Sequence, residues 1–240
     1  MYKVQSEHTK IVDYSSNRIH ELFGVKQFSE YSGEECVAIV DTETTAERGD
    51  NFGKPLIYDI GVTFVIKQTG LPVGKACYII KETYCNAELM RGAFFTNRTF
   101  TDYPEILASG IGKLTTFNNA IAELTELFSN FNVSTFAAYN SAFDTRAFDK
   151  TADYINRVTG VDTDFGVVSD IRYGNLEILD LWAAACMSFM ASDDYKEQAT
   201  VNHWLTKTGN FATNAEAANN FINHTLVGED HTALSDTAIE

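Results

Sequence analysis

The chain has 240 residues, of which 45% are hydrophobic, and its formal net charge is −15 at pH 7. This length and apolar content suit a single α/β domain with a substantial core. With 15 glycines and 3 prolines, the composition excludes fibrous and disordered classes. No window approaches the roughly 20 apolar residues of a membrane span, and the first residues lack the apolar stretch of a signal peptide. We therefore expect a cytoplasmic protein that does not bind membranes.

The negative charge also limits how the protein can bind nucleic acid. Phosphate affinity comes mainly from Lys and Arg, and the chain has 18 of these against 33 Asp and Glu. A broad electrostatic surface for nucleic acid is therefore excluded. Contacts to an anionic substrate would be short and local, or would be made through bound cations.

The first part of the chain predicts an extension followed by three strands. Residues 1–35 are polar and mixed, with one short helical segment at 18–23, and we interpret them as an N-terminal extension. Residues 36–240 form the main domain. The apolar run at 36–40 predicts a strand buried on both faces. Further strands at 56–66 and 75–81, joined by short turns, predict an antiparallel meander.

The second part of the chain alternates between helices and strands. Residues 83–116 are irregular, and the apolar spacing from Phe117 to Phe131 then predicts an amphipathic helix. A strand at 135–139, a helix at 141–158, a strand at 176–179 and a helix reaching Met190 follow. In the tail we expect three helices. The first lies at 200–206, the second begins at the capping box at 213–216, and the third runs from 233 onward. Strands followed by alternating helices and strands predict a mixed sheet with helices on its faces.

Three separated blocks of this chain carry the chemistry of a metal site. They are Asp41-Thr42-Glu43, Asn140-Ser141-Ala142-Phe143-Asp144 and His231-Thr232-Ala233-Leu234-Ser235-Asp236. Carboxylates at positions i and i+2 of an extended segment point to the same side. Hard cations such as Mg²⁺ and Mn²⁺ prefer oxygen ligands. Two such ions about 3.5–4 Å apart can hold both the attacking and the leaving oxygen of a phosphodiester.

Each block also has a simpler interpretation. Asp41 suits a turn at a strand end. Asp144 suits the first turn of a helix capped by Asn140 or Ser141, where the helix dipole favours a carboxylate. His231 suits a surface position beside other polar residues. One shared site explains all three blocks, their order and their contexts together, and we favour it for that reason.

These blocks resemble the three exonuclease motifs of the DEDDh branch of the DnaQ-like 3′–5′ exonucleases, which have an RNase H-like fold. The resemblance covers roughly residues 37–240 and includes the segment at 57–61, which is similar to the family's second-strand signature. A histidine five residues before the last aspartate separates this branch from the branch that uses tyrosine. The expected fold is a mixed sheet, with an antiparallel meander plus parallel strands, flanked by α-helices.

The resemblance implies a role for each of these side chains. Asp41, Glu43 and Asp236 would bind the first of two divalent cations, Mg²⁺ or Mn²⁺, and Asp41 would bridge to the second. Asp144 would reach the second cation directly or through water. His231 would be the general base that removes a proton from the attacking water, since its natural pKa is near neutrality.

The resemblance also implies residues that contact the substrate. Thr42, Asn140 and Phe143 belong to the matched motifs, and the turn at 109–111 is similar to the family's substrate loop, which adds Gly110 and Ile111. Base stacking by Phe94, Phe95, Phe100 and Tyr103 is a further hypothesis, although an aromatic group of this kind more often belongs to a core.

The implied function is hydrolysis of single-stranded DNA or RNA from the 3′ end to nucleoside 5′-monophosphates, with DNA favoured. An oligoribonuclease-like enzyme for short RNAs is one alternative, and a non-catalytic module associated with a polymerase is another. Family members work as dimers or as polymerase-bound subunits, so a homodimer and a polymerase or other replication or repair partner are both expectations. The last helix is short here, and we expect it to fray without metal.

Overall fold

The computed structural model describes residues 31–45, 55–93, 102–228 and 231–240. The helix expected at 18–23 and most of the proposed extension lie outside these residues. Within the described residues the strands form one six-stranded sheet with the order β4-β3-β2-β1-β5-β6. Its strands are β1 (Cys36–Thr44), β2 (Ile57–Ile66), β3 (Pro72–Ile80), β4 (Lys113–Thr115), β5 (Val133–Ala138) and β6 (Glu177–Asp180).

The pairing of the strands confirms the predicted mixed sheet. β1, β2 and β3 form the antiparallel meander. β5 pairs in parallel with β1, β6 pairs in parallel with β5, and β4 pairs in parallel with β3. β1 therefore lies in the middle of the sheet, between an antiparallel and a parallel neighbour. A central strand of this kind is where an open α/β sheet places its functional groups.

Helices pack on both faces of the sheet. They are α1 (Lys81–Tyr84), α2 (Ala87–Met90), α3 (Tyr103–Ser109), α4 (Phe117–Asn130), α5 (Ser141–Thr159), α6 (Gly166–Tyr173), α7 (Leu181–Ala185), α8 (Asp193–Val201), α9 (Ala215–Asn223) and α10 (Ala233–Asp236). α7 continues as a π-helical segment, Cys186–Met190. Among the described residues, no helix has the length and the apolar character needed to cross a membrane.

Two hydrophobic clusters cover the two faces of the sheet. The larger contains side chains from α4, α5 and α6, including Phe117, Leu124 and Phe148, all fully buried. The smaller lies on the opposite face and includes Tyr58, Tyr103 and Leu234 from β2, α3 and α10. The predicted amphipathic helix is confirmed as α4, and the helix predicted at 141–158 is confirmed as α5.

The first strand differs from the sequence prediction in length and in burial. It was expected to end before Asp41, but β1 continues to Thr44 because β2 is long enough to pair with it through Glu43 and, after a bulge, Thr44. Its residues alternate between buried and partly exposed, so it is not closed on both faces. Asp41 and Glu43 share the partly exposed side, which leaves them accessible to a ligand.

Two other predictions are wrong. The region at 83–116 contains three short helices and β4, although its sequence lacks a regular pattern. The helix expected at 200–206 instead lies at Asp193–Val201 as α8, where Ser192 caps it by accepting a hydrogen bond from the Tyr195 amide at 3.1 Å. His203 then adopts φ 59°, a left-handed conformation that cannot continue the helix.

The last helix is anchored to one face of β2 by three alternating residues. Asp59 accepts a hydrogen bond from the Ala233 amide at 3.0 Å. A Cβ on Gly61 would lie 2.2 Å from the Ala233 carbonyl carbon, so the α10 backbone rests directly on this glycine. The Thr63 and Thr237 hydroxyls form a 2.6 Å hydrogen bond. These contacts hold α10 against the sheet, and its fraying without metal stays a prediction.

We predict that Gly61→Ala destabilises the protein by about 3 kcal/mol or more, since overpacking against a backbone leaves no flexible side chain to move. Urea unfolding followed by circular dichroism would measure the loss. Gly228→Ala is the control, because nothing lies within 4 Å of a Cβ at that position. Equal stability of the two variants would contradict the close approach of α10 to β2.

Candidate metal centre

The structure brings three predicted carboxylates together at the middle of the sheet. Asp41 and Glu43 lie on one side of β1, opposite Gly61 and Asp59 of β2. α10 adds Asp236, which is buried. One ligand oxygen from each of Asp41, Glu43 and Asp236 lies within 4.8 Å of the others. Oxygen donors at this spacing fit a hard divalent cation such as Mg²⁺ or Mn²⁺.

Asp144 joins this group from the opposite side of β1. It lies in the first turn of α5 and is only 3% exposed. The Thr42 hydroxyl donates a 2.7 Å hydrogen bond to the Asp144 carboxylate, so the residue between Asp41 and Glu43 ties the first block to the second. Burial raises the pKa of Asp144 to about 7, although the bond from Thr42 opposes this shift.

Burial, and then repulsion between the carboxylates, raises the proton affinity of the centre. The pKa of Asp41 is raised well above its usual range, first by burial and then by the nearby carboxylates of Glu240, Asp144, Glu43 and Asp236. Negative groups this close favour either protons or a cation between them. A divalent cation would relieve the repulsion without protonation, because it supplies the missing positive charge.

Asn140 precedes α5 and has an unusual backbone conformation. Its φ of 65° and ψ of 54° place it in the left-handed region, and its side chain does not cap the helix. Its carbonyl instead accepts a 2.8 Å hydrogen bond from the Phe143 amide. Asn140 therefore occupies the N-cap position, which is one of the two expected, but it does not cap the helix with its side chain. The turn that it makes lets the chain pass from β5 into α5 with Asp144 directed toward β1.

His231 begins the segment that leads into α10. It is partly exposed, and its φ of 55° is also left-handed. Histidine adopts this region more readily than most residues but at some energetic cost. The surrounding segment is fixed by a 2.6 Å hydrogen bond between the Thr232 and Ser235 hydroxyls. The role of His231 as a base stays a prediction.

The sequence motifs missed two acidic residues near this centre. Glu240 raises the pKa of Asp41 and so lies close to it. Its sequence signal is the spacing of four residues from Asp236 within the helix expected from 233 onward. In the structure α10 ends at Asp236, and the Glu240 amide donates a 3.2 Å hydrogen bond to the Asp236 carbonyl. Asp180 ends β6, which lies beyond β5 in the sheet; it pairs with Ala138 and raises the pKa of Asp144.

The residues predicted to contact substrate have different surroundings. Thr42 is buried against Asp144, whereas Phe143 is partly exposed at the start of α5. Gly110 is exposed and ends α3 with φ 76°. Ile111, with 8% exposure, packs in the smaller core cluster. Their part in substrate binding stays a prediction.

The stacking hypothesis receives no support from Tyr103. Phe94, Phe95 and Phe100 lie outside the described residues. Tyr103 is fully buried, and its hydroxyl donates a 2.7 Å hydrogen bond to Asp59. Its ring packs edge-on to Tyr58 at 5.8 Å between centroids. Tyr103 is therefore a core residue and is not available to stack on a base.

Comparisons with known proteins find similarity only among solved structures. No family model matches the chain, and no curated protein matches its sequence. The crystal structure of E. coli Exonuclease I in complex with a dT13 oligonucleotide has a TM-score of 0.49 and 12% identity, over 86% of this chain and 39% of that one. Exonuclease I in complex with the inhibitor BCBP has a TM-score of 0.49 and 12% identity, over 87% and 40%. This chain thus spans about two fifths of the length of these structures.

We predict that the metal-free protein loses stability as the pH rises from about 5 to 8. The pKa of Asp144, at about 7, and that of Asp41 are higher in the folded state than the usual value of about 3.9. Carboxyls of this kind bind protons more tightly when folded. Their stabilisation is complete below the unfolded pKa and is lost as the pH rises through the folded pKa. Unfolding by urea in EDTA across this range would measure the slope.

Two variants separate this effect from general charge repulsion. Asp144→Asn removes one titrating group and keeps an acceptor for Thr42, so it should flatten the slope and raise stability at pH 8. Asp153→Asn, an exposed position on the same helix, should keep the wild-type slope. Adding Mn²⁺ should stabilise the wild type more at pH 8 than at pH 5. Identical slopes for the wild type and Asp144→Asn would contradict the prediction.

Proposed function

We propose that this protein is a metal-dependent 3′–5′ exonuclease that hydrolyses single-stranded nucleic acid, with DNA favoured, to nucleoside 5′-monophosphates. The observation that carries the proposal is the convergence of Asp41, Glu43 and Asp236, whose ligand oxygens lie within 4.8 Å of one another. Asp144 is connected to the same centre through Thr42. Side chains from the three sequence blocks thus lie close together in the structure.

The donor set fits the cations that this chemistry requires. Every candidate ligand is a carboxylate, so the centre favours Mg²⁺ or Mn²⁺ over softer ions. Asp41, Glu43 and Asp236 would hold the first ion, and Asp41 and Asp144 the second. When bound, the ions would supply positive charge for the pentacoordinate phosphate and the departing 3′-oxygen.

The protein's own groups would bind the ions and move the proton. His231 would accept the proton of the attacking water at an imidazole nitrogen, a step that typically contributes about 10²–10⁴-fold to the rate. Its partly exposed position at the start of the α10 segment suits a base that must exchange protons with solvent. Thr42 would keep Asp144 oriented and ionised, since its hydroxyl bonds to the carboxylate.

The charge of the chain favours one second candidate. A net charge of −15 suits short substrates, which need few phosphate contacts, so an oligoribonuclease-like 3′–5′ exoribonuclease is the alternative. A non-catalytic module is less consistent with the sequence, because all five expected catalytic positions are filled. A polymerase or repair partner, a homodimer and a cytoplasmic location stay predictions.

We predict that a 5′-labelled single strand incubated with the protein and Mg²⁺ is shortened stepwise from its 3′ end. Asp41→Ala should abolish the ladder, because it removes the ligand shared by both ions. His231→Ala should slow the reaction by about 10²–10⁴-fold. Asp153→Asn, on the exposed side of α5, is the control and should keep the wild-type rate.

Parallel DNA and RNA substrates of several lengths, with free or blocked 3′ ends, would separate the two candidates. Shortening of DNA substrates of any length supports the main proposal. Shortening of RNA of a few nucleotides, without shortening of DNA, supports the alternative. Absence of 3′ shortening with either metal would rule out both. A rate unchanged by Asp41→Ala would point to a contaminating nuclease.

A further inference from the structure

Asp59 is a fully buried carboxylate that no catalytic role explains. It lies on β2 beside Glu43, at the position where the two strands pair. A buried charge is costly unless it accepts hydrogen bonds. Asp59 accepts two from different parts of the chain: the Tyr103 hydroxyl at 2.7 Å and the Ala233 amide at 3.0 Å, both on the same carboxylate oxygen. The Cys77 thiol donates to the other oxygen at 3.5 Å.

The bond to Ala233 falls between two proposed catalytic groups. Ala233 follows His231 by two residues and precedes Asp236 by three. The amide that Asp59 holds is the first of α10, so the bond fixes where this helix begins. Gly61 and Thr63 position the rest of α10 on the same face of β2. Gly61 only permits the close approach of α10 to β2, and Thr63 holds the C-terminal end of this helix. Asp59 instead fixes the N-terminal end, which is the end nearest His231.

The bond to Tyr103 connects a second segment to the same oxygen. Tyr103 is the first residue of α3, which ends at Gly110 in the turn predicted to contact substrate. Asp59 therefore joins the start of α3 to the start of α10. We propose that Asp59 is a positioning residue, which through Tyr103 and the Ala233 amide sets His231 and Asp236 relative to Asp41 and Glu43. This inference rests on the proposed function, because it assigns these residues to one reaction.

The geometry predicts that residue 59 needs an acceptor oxygen more than a full negative charge to position α10. Asparagine offers one carbonyl oxygen, which can accept from both Tyr103 and Ala233, and its amide nitrogen would then face the weakly accepting Cys77 sulfur. Alanine offers neither acceptor and leaves two buried donors without a partner. Asp59→Asn should therefore keep a much higher kcat than Asp59→Ala.

The test compares kcat and KM of the full chain with saturating Mg²⁺ on a labelled single strand. Asp59→Ala should lower kcat by about 10²-fold, the typical cost of misplacing reacting groups by about 1 Å, with little change in KM. Asp59→Asn should restore most of that loss. Thr163→Val, which removes a buried 2.9 Å hydrogen bond to Ala152 far from α10, is the control for lost stability and should keep the wild-type kcat.

Hydrogen exchange gives a readout that does not depend on activity. Peptides covering 231–237 should exchange faster in Asp59→Ala than in the wild type or in Thr163→Val. If the wild type shows no nuclease activity, the proposed function fails, and exchange alone decides the positioning role. An unchanged kcat in an active Asp59→Ala protein, or unchanged exchange at 231–237, would overturn the inference.

A folding failure of Asp59→Ala would leave two usable variants. Tyr103→Phe removes one donor from Asp59 and should lower kcat several-fold and speed exchange at 231–237. Asp59→Asn should stay close to the wild type in both measurements. If Tyr103→Phe matched the wild type in both kcat and exchange, the link through Asp59 would be refuted.

Discussion

The direct contact between the α10 backbone and Gly61 is the constraint on which the rest of the site depends. Any side chain at Gly61 would occupy the space of the Ala233 carbonyl. Without that approach, Asp236 would not reach the two carboxylates of β1. The close packing of the helix also buries its backbone, and for this reason the Ala233 amide needs the acceptor that Asp59 provides. One missing Cβ thus determines the position of a proposed metal ligand.

The electrostatics of the centre oppose its packing. Packing brings Asp41, Asp144, Asp236 and Glu240 together, and their mutual repulsion makes the ionised cluster unfavourable without a cation. The centre therefore favours bound protons or bound cations, since either relieves the repulsion. The same charge repels nucleic acid. Under the proposed function, bound metal would serve both needs, since it would neutralise the cluster and attract the substrate phosphate where Lys and Arg are sparse.

Much of this structure follows from local sequence patterns. The meander and α4 were predicted because apolar periodicity and β-branched runs act over a few residues. The position of Asp41 and Glu43 on one side of β1 follows from the alternation of side chains along a strand. The sequence predicts the strand segment that contains Asp59 but not the contacts of its carboxylate, because its partners Tyr103 and Ala233 come from distant segments, 174 residues away in the second case. The start of α8 depends on the Ser192 cap, which lies upstream of the segment 200–206 where the helix was predicted.

The order of the elements along the chain has a consequence for how the protein is made. Among the described residues β1 is the first strand and α10 the last helix, so the proposed centre joins segments that lie far apart in the sequence. A chain still emerging from the ribosome can complete the meander early, but it has no route to the full ligand set until residue 236 is free to dock. The proposed ligand set would therefore be completed well after the meander, and the proposed nuclease would stay inactive for as long as residue 236 remains inside the ribosome.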